Sequence, residues 1–92
     1  MTPAQFRKAV IDRDVSCRLR HEGCQGVGHH VHHIFGKRFK ATVCDPDNGI
    51  FLCFSCHDWV HKHIAKFQEK LKEWHGEEWF EELERKAKGG VK

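Results

Sequence analysis

Asp45-Pro46-Asp47-Asn48-Gly49-Ile50-Phe51-Leu52-Cys53-Phe54-Ser55-Cys56-His57 changes character twice within a few residues. Asp-Pro-Asp-Asn-Gly is a strong turn sequence: Pro presets φ, Asp and Asn bond to nearby backbone, and Gly enters conformations other residues avoid. Residues 50–54 form a short apolar run fit for a buried strand. From Cys56 the apolar residues recur at three- and four-residue steps, and Ser55 is placed to cap a helix. Upstream, residues 28–35 carry Val31, Ile34 and Phe35 around a His32-His33 pair and read as the strand that pairs back on residues 50–54. The stretch therefore predicts an α+β unit in which a two-stranded antiparallel hairpin is followed by a helix.

Working outward, Thr2-Pro3 is a sound helix start, with Thr2 as N-cap, Pro3 at the first helical position, and Phe6, Val10 and Ile11 on one face. Arg13-Asp14-Val15-Ser16 ends that helix. Residues 17–28 hold two cysteines and three of the eight glycines with little periodicity, as a metal knuckle would. On the other side, Trp59, Val60, His63, Ile64, Phe67, Leu71 and Trp74 continue a helical stripe until Gly76 interrupts it. Glu77-Glu78 then opens a last helix, with Trp79, Phe80 and Leu83 able to dock on the core and the chain fraying from Lys86. One domain over residues 1–92 follows, with its core at 17–63, a C-terminal helical extension at 64–88 and a tail at 89–92.

A chain of 92 residues buries a modest fraction of its surface and commonly relies on a metal or disulfide staple. No apolar run approaches the roughly twenty residues of a membrane span, so no membrane partner is expected. Met1 to Lys8 shows no apolar core before a small-residue cleavage site, which predicts a reducing, cytoplasmic setting. There, five cysteines among nine histidines are better metal ligands or free thiols than a disulfide framework. Charge is unevenly spread: residues 1–66 carry ten Lys and Arg against six Asp and Glu, and residues 67–92 carry six against seven. Arg18, Arg20, Lys37, Arg38 and Lys40 lie close in sequence to the histidines, a distribution suited to a polyanion, although any one of them alone is ordinary solvated surface.

Two donor sets stand out. Cys53 and Cys56 form a Cys-x-x-Cys pair at a strand-to-helix junction, and Cys17 and Cys24 form a looser pair; four thiolates can hold zinc tetrahedrally, as a structural site. The six-residue interval between Cys17 and Cys24 exceeds the usual two to four, so Cys44 is open as a substitute and some cysteines as plain buried hydrophobes. A redox role for Cys53 and Cys56 lacks a surrounding βαβ pattern. The second set is His32, His57 and His61. Residues four apart on a helix share a face about 6 Å apart along the axis, so His57 and His61 can share one ion with His32. His33, the strand neighbour of His32, must face the other way. Three imidazoles leave coordination positions open, as a reactive site requires. His21, His29, His30, His63 and His75 read as ordinary surface or core residues.

These residues and spacings resemble the HNH endonucleases, or ββα-metal nucleases, of the cysteine-bearing subclass, over residues 17–63. Val31-His32-His33-Ile34-Phe35, Asp47-Asn48-Gly49 and Leu52-Cys53-Phe54-Ser55-Cys56-His57 are similar to the family's signature stretches. The Asp-Pro-Asp-Asn-Gly turn, Cys-x-x-Cys-His and Gly-Glu-Glu-Trp-Phe-Glu-Glu-Leu-Glu are similar to small phage HNH proteins related to the NinG recombination proteins. The resemblance implies a DNA endonuclease in which His33 is the general base, Asn48 holds the loop that orients it, and His32, His57 and His61 bind one divalent cation. It also implies 3′-hydroxyl and 5′-phosphate products, nicking by a single site, and a helix bearing His57 and His61 near the minor groove. Lys37, Arg38 and Lys40 are then the expected phosphate contacts. Many relatives carry aspartate where this chain has His32, and some carry a residue other than histidine at the position of His61; the all-imidazole shell leaves Mg²⁺, Mn²⁺, Ni²⁺ and Zn²⁺ open as the working ion.

Two other classes compete. One is a non-catalytic, zinc-stabilised nucleic-acid-binding module, which would hold its metal in closed sites. The other is an adaptor presenting Trp59, Trp74, Trp79 and Phe80 to a protein partner, or to a second copy through the C-terminal helices, although aromatics at helical spacing are more often core.

Overall fold

The computed structural model describes residues 1–89. Helix α1 (Pro3–Asp14) starts in a capping box: the Gln5 N–H donates to Thr2 Oγ1 at 3.1 Å and the Thr2 N–H donates to Gln5 Oε1 at 2.8 Å. Strands β1 (His30–His33) and β2 (Gly49–Leu52) pair antiparallel, His30 opposite Leu52, Val31 opposite Phe51, His32 opposite Ile50 and His33 opposite Gly49. A 3-10 turn, Pro46–Asn48, leads into β2, and the Asp47 N–H donates to Asp45 Oδ1 at 3.0 Å. Helices α2 (Phe54–Lys62), α3 (Ile64–His75) and α4 (Glu77–Ala87) follow. The fold is therefore α+β, a ββα arrangement of hairpin and α2 with an N-terminal helix before it and two helices after it. No helix among the described residues is long and apolar enough to cross a membrane.

Strand alternation divides the interior. Ile50 and Leu52 face the main core with Val60, Phe67, Leu71, Phe80 and Leu83, whereas Phe51 faces α1 in a second cluster with Phe6 and Val10. The α1 cluster closes tightly over β2: a β-carbon added to Gly49 would lie 2.7 Å from Val10 Cγ2 and 2.8 Å from Phe6 Cζ. The last residues of α1 then cover the outer edge of β2. The Phe51 N–H donates to Asp14 Oδ2 at 3.0 Å, and Arg13 Nη2 donates to the Gly49 carbonyl at 2.7 Å. The Arg18 N–H supplies a third partner, the Phe51 carbonyl, at 2.9 Å. Asp14 is almost wholly buried, and Arg13 Nε lies 2.7 Å from its carboxylate, so the charge is paired where water is excluded. One edge of the sheet is thus sealed, leaving β1 as the other edge.

Three details differ from the sequence reading. The cap of α2 is Cys53 rather than Ser55: its Sγ accepts the Cys56 N–H at 3.3 Å and its carbonyl accepts the His57 N–H at 2.9 Å. The stripe expected to run unbroken to Trp74 is interrupted at His63, where φ −135° and ψ 55° leave the helical region. That break turns Phe67 and Leu71 onto the core shared by Val60, leaving His63 and Ile64 exposed. Lys86 does not fray: α4 extends to the buried Ala87, and Lys86 Nζ lies 2.9 Å from Asp45 Oδ2. The expected tail is described only at Gly89, and residues 90–92 lie outside the described residues. Trp59 and Trp79 pack against the main core and Phe80 lies within it, so of the four aromatics weighed as a partner surface only Trp74 is exposed.

Gly49→Ala forces a methyl group into the α1–β2 contact, whereas a β-carbon on Gly36 meets nothing within 4 Å. In urea unfolding of the metal-loaded protein, Gly49→Ala is expected to lose about 1–3 kcal/mol, with Gly36→Ala unchanged or slightly more stable; equal stability of the two variants would refute this account of the packing.

Candidate metal centres

The knuckle between α1 and β1 brings two distant cysteine pairs together. Arg20 and Gly23 take positive φ values of 57° and 88°, so the chain between Cys17 and Cys24 winds tightly enough to absorb its long interval, and Gly26 follows at 85°. The Cys17 N–H donates to the Gly26 carbonyl at 3.0 Å and the Cys24 N–H to the His21 carbonyl at 3.0 Å. Cys53 and Cys56 arrive from the start of α2. The four Sγ atoms of Cys17, Cys24, Cys53 and Cys56 lie within 4.8 Å of one another. The 3.9 Å between Cys24 and Cys53 Sγ matches the edge of about 3.8 Å for a tetrahedron built on Zn–S bonds of about 2.3 Å. All five cysteines are free thiols. Cys44, open as a substitute ligand, packs instead against the Phe6, Val10 and Phe51 cluster.

Electrostatics within this set favour a cation. Backbone N–H groups of Gln25, Gly26 and Cys56 point at sulfur: Gln25 and Cys56 at Cys53 Sγ, at 3.4 and 3.3 Å, and Gly26 at Cys24 Sγ, at 3.3 Å. Burial opposes ionisation of Cys53, but the Gln25 and Cys56 N–H groups and the neighbouring thiols outweigh it and hold Cys53 at about 6. Burial pushes Cys24 and Cys56 up. Without added positive charge the cluster favours a thiolate at Cys53 and resists one at Cys24 or Cys56; a bound Zn²⁺ would reverse that balance. The donor set, its spacing and its N–H···S bonds fit structural zinc.

A second set lies further along α2, on the face of the sheet that packs on the main core. His32 projects from the strand toward α2, where His57 and His61 occupy successive turns, and the nearest ring nitrogens of the three lie within 4.8 Å of one another. His57 Nε2 and His61 Nε2 are 3.1 Å apart, within the edge of about 3.0–3.4 Å expected for imidazoles sharing an ion at about 2.1 Å. His32 is held to about 4, first by burial and then by His57, His61 and His33; burial also lowers His57, followed by His61 and His30. Both are therefore neutral at physiological pH, with lone pairs free for a cation. His61 is exposed, so the set opens to solvent on one side.

His33 takes the opposite face of β1, its ring stacked on Phe6 with centroids 4.9 Å apart. Its Nε2 lies 3.0 Å from the Val43 carbonyl, which can only accept, so Nε2 carries the proton and Nδ1 keeps its lone pair. Asn48, fully buried, clamps the loop behind that carbonyl: Oδ1 accepts the Phe35 N–H at 2.7 Å, while Nδ2 donates to the Phe35 and Thr42 carbonyls at 2.9 and 3.1 Å. Thr42 adjoins Val43, so the asparagine positions the imidazole through one stretch of backbone. Lys37, Arg38 and Lys40 are exposed on that loop, and the Arg38 guanidinium lies 4.7 Å from the Phe39 ring centroid.

The sequence reading passed over His30, whose ring stacks on His57 at 4.7 Å. The signal was present, because residues two apart on a strand share a face and His30 stands two before His32. The Val43 carbonyl had no comparable signal, since any residue supplies one.

Removing a metal held by the thiols is expected to unfold the chain, because three of its core residues, Cys17, Cys53 and Cys56, and Cys24 packed against them would be the ligands. Chelation of the wild type, or Cys53→Ser, should abolish the far-ultraviolet helical signal, whereas His57→Ala should keep it together with one tightly held zinc per chain. Retention of native dichroism after complete zinc removal would overturn the structural role. Compared with family models, with curated proteins and with solved structures, the chain matches none, so the reading of these centres rests on its own residues.

Proposed function

We propose that the protein is a metal-dependent DNA endonuclease of the HNH, ββα-metal kind, with His33 as general base and His32, His57 and His61 as ligands of the working cation. The observation that carries this reading is the pairing, on consecutive residues of β1, of a solvent-open imidazole set with a histidine whose tautomer is fixed by a backbone carbonyl. Because β1 is the edge of a two-stranded sheet, a DNA strand laid along it can reach both faces. A divalent cation held by the three imidazoles would neutralise the phosphate and the departing oxygen. His33 Nδ1 takes a proton from water as the water oxygen bonds to phosphorus. The P–O3′ bond breaks, and the 3′ oxygen is protonated from solvent, leaving 3′-hydroxyl and 5′-phosphate ends. Lys37, Arg38 and Lys40 bind flanking phosphates, which positions the strand without reading its sequence. A single site nicks, and the family resemblance puts the activity in the cytoplasm of a phage-infected bacterium.

The stack of His33 on Phe6 favours a second reading, in which the ring serves packing and the domain is a zinc-stabilised nucleic-acid-binding module. Supercoiled plasmid incubated with protein stripped of its labile ion and resupplied with Mg²⁺, Mn²⁺, Ni²⁺ or Zn²⁺ separates the two. Wild type is expected to yield nicked circles, and His33→Ala to lose about 10²–10⁴-fold in rate, the usual worth of a general base. Burial first, and then Lys37, lower His33 against the upward pull of the Val43 carbonyl. Since the base works unprotonated, the rate should fall with decreasing pH through a value below the ordinary 6.5. Undiminished cleavage by His33→Ala, or a pH-independent rate across that range, would exclude His33 as the base.

Replacing Lys37, Arg38 and Lys40 together by alanine should weaken DNA binding and flatten its salt dependence, by up to about 0.9 per lost contact in the slope of log K against log salt. An unchanged slope, measured by anisotropy titration over a salt series, removes the loop from the interface.

A further inference from the structure

From the imidazole set an unbroken line of rings runs outward along the start of α2. His57 stacks on His30, with centroids 4.7 Å apart and planes at 30°. His30 meets Phe54 edge-on at 4.9 Å. Phe54 in turn stacks on His29 at 4.2 Å and 18°. Phe54 is the first residue of α2, three before His57 and so on nearly the same helix face. Yet it is 54 % exposed, in a domain whose other six phenylalanines are buried or half-buried. Neither the hairpin packing nor the zinc knuckle uses this ring: it belongs to neither apolar cluster. His29 is exposed as well, so the stack ends open to solvent. The nearest carboxylate in sequence, Asp58, is paired with Lys62 at 3.1 Å, which leaves little repulsion toward a polyanion.

We infer that Phe54 and His29 form a stacking platform for an unpaired nucleobase flanking the phosphate held at His32, His57 and His61, so that the substrate is a DNA strand with single-stranded character at the cut. This rests on the nuclease reading for the identity of the phosphate site. Flat rings at stacking distance accept any base on its π-face, and imidazole and phenyl rings bring no negative charge against the backbone. The two centroid steps from His57 to Phe54, 4.7 and 4.9 Å, place the platform beside the imidazole set. A base in continuous duplex is stacked on its neighbours and unavailable, so the platform discriminates by strandedness and not by sequence.

The test is anisotropy binding by zinc-loaded protein in a His33→Ala background, which binds without cutting. Probes are a short fluorescein-labelled single strand, the same strand in duplex, and the single strand with abasic sites. Single strand is expected to bind more tightly than duplex by about five-fold to a hundred-fold, the worth of one base–aromatic stack. Abasic substitution and Phe54→Ala should each erase that margin, and Phe54→Trp should keep it. Unchanged zinc content and dichroism show that Phe54→Ala is folded. Equal affinity for single strand and duplex, a margin that survives Phe54→Ala, or no binding to any probe overturns the platform. Cleavage of the plasmid and of the same single strand by the wild type is scored separately. Cleavage without a Phe54-dependent margin defeats the platform and leaves the nuclease, whereas a Phe54-dependent margin without cleavage does the reverse.

Discussion

Convergence of four cysteine sulfurs at the junction of three segments is the constraint from which the rest of the arrangement follows. Cys17 closes the segment after α1, Cys24 lies in the knuckle before β1, and Cys53 and Cys56 form the first turn of α2. A hairpin of two four-residue strands is marginal in water by itself. Here its register is held where Cys53 follows directly on β2 and doubles as the cap of α2. The same sulfur that would bind metal accepts the N–H groups of Gln25 and Cys56, so helix initiation and metal binding draw on one atom. A thiol is a poor cap, whereas a thiolate beside a divalent cation is a strong acceptor. This coupling explains why Ser55, the better cap by residue type, is passed over: Ser55 lies where only its N–H is used, toward Gln25 Oε1 at 3.4 Å.

With the hairpin fixed, the two-residue period of β1 distributes chemistry between faces. His30 and His32 are committed to the α2 side, Val31 and His33 to the α1 side. A one-residue slip would exchange the sets and put the general-base candidate among the ligands, so register carries functional as well as packing consequences. Gly49 and Phe6 enforce it from one side and Asn48 from the end of the loop. The side-chain bonds of that buried asparagine are all to backbone, which makes the 35–42 loop a rigid arm carrying the Val43 carbonyl to His33.

Much of this was legible in the residues. Thr2-Pro3, the turn before β2, the alternation at His32-His33 and the four-residue step from His57 to His61 are short-range features, each with its own physical rule, and each is found where those rules put it. The Cys17–Cys24 pair closes despite its loose interval because Arg20 adopts a left-handed conformation, which no local pattern announces for an arginine. The break at His63 was invisible for a related reason: the stripe of apolar residues stays in phase across it, and only the demand that Phe67 and Leu71 reach Phe80 and Phe35 reveals where the helix must bend. The sealing of the β2 edge by Arg13, Asp14 and Arg18 joins residues more than thirty positions apart and leaves no sequence period at all.

The uneven exposure of the rings follows from the same division of labour. Phe6, Phe35, Phe51, Phe67 and Phe80 are buried because each fills one of the two clusters that flank the hairpin. Phe54 cannot join either, since the position after the cap points away from the sheet once Cys53 and Cys56 turn inward to the cysteine cluster. A helix starting two residues later, at the Ser55 cap, would shift the phase of α2 by about 200°, at about 100° per residue, and carry His57 and His61 off the face of His32. The four-cysteine knuckle therefore sets the phase of α2, and that phase both assembles the three imidazoles and leaves Phe54 outside, beside them.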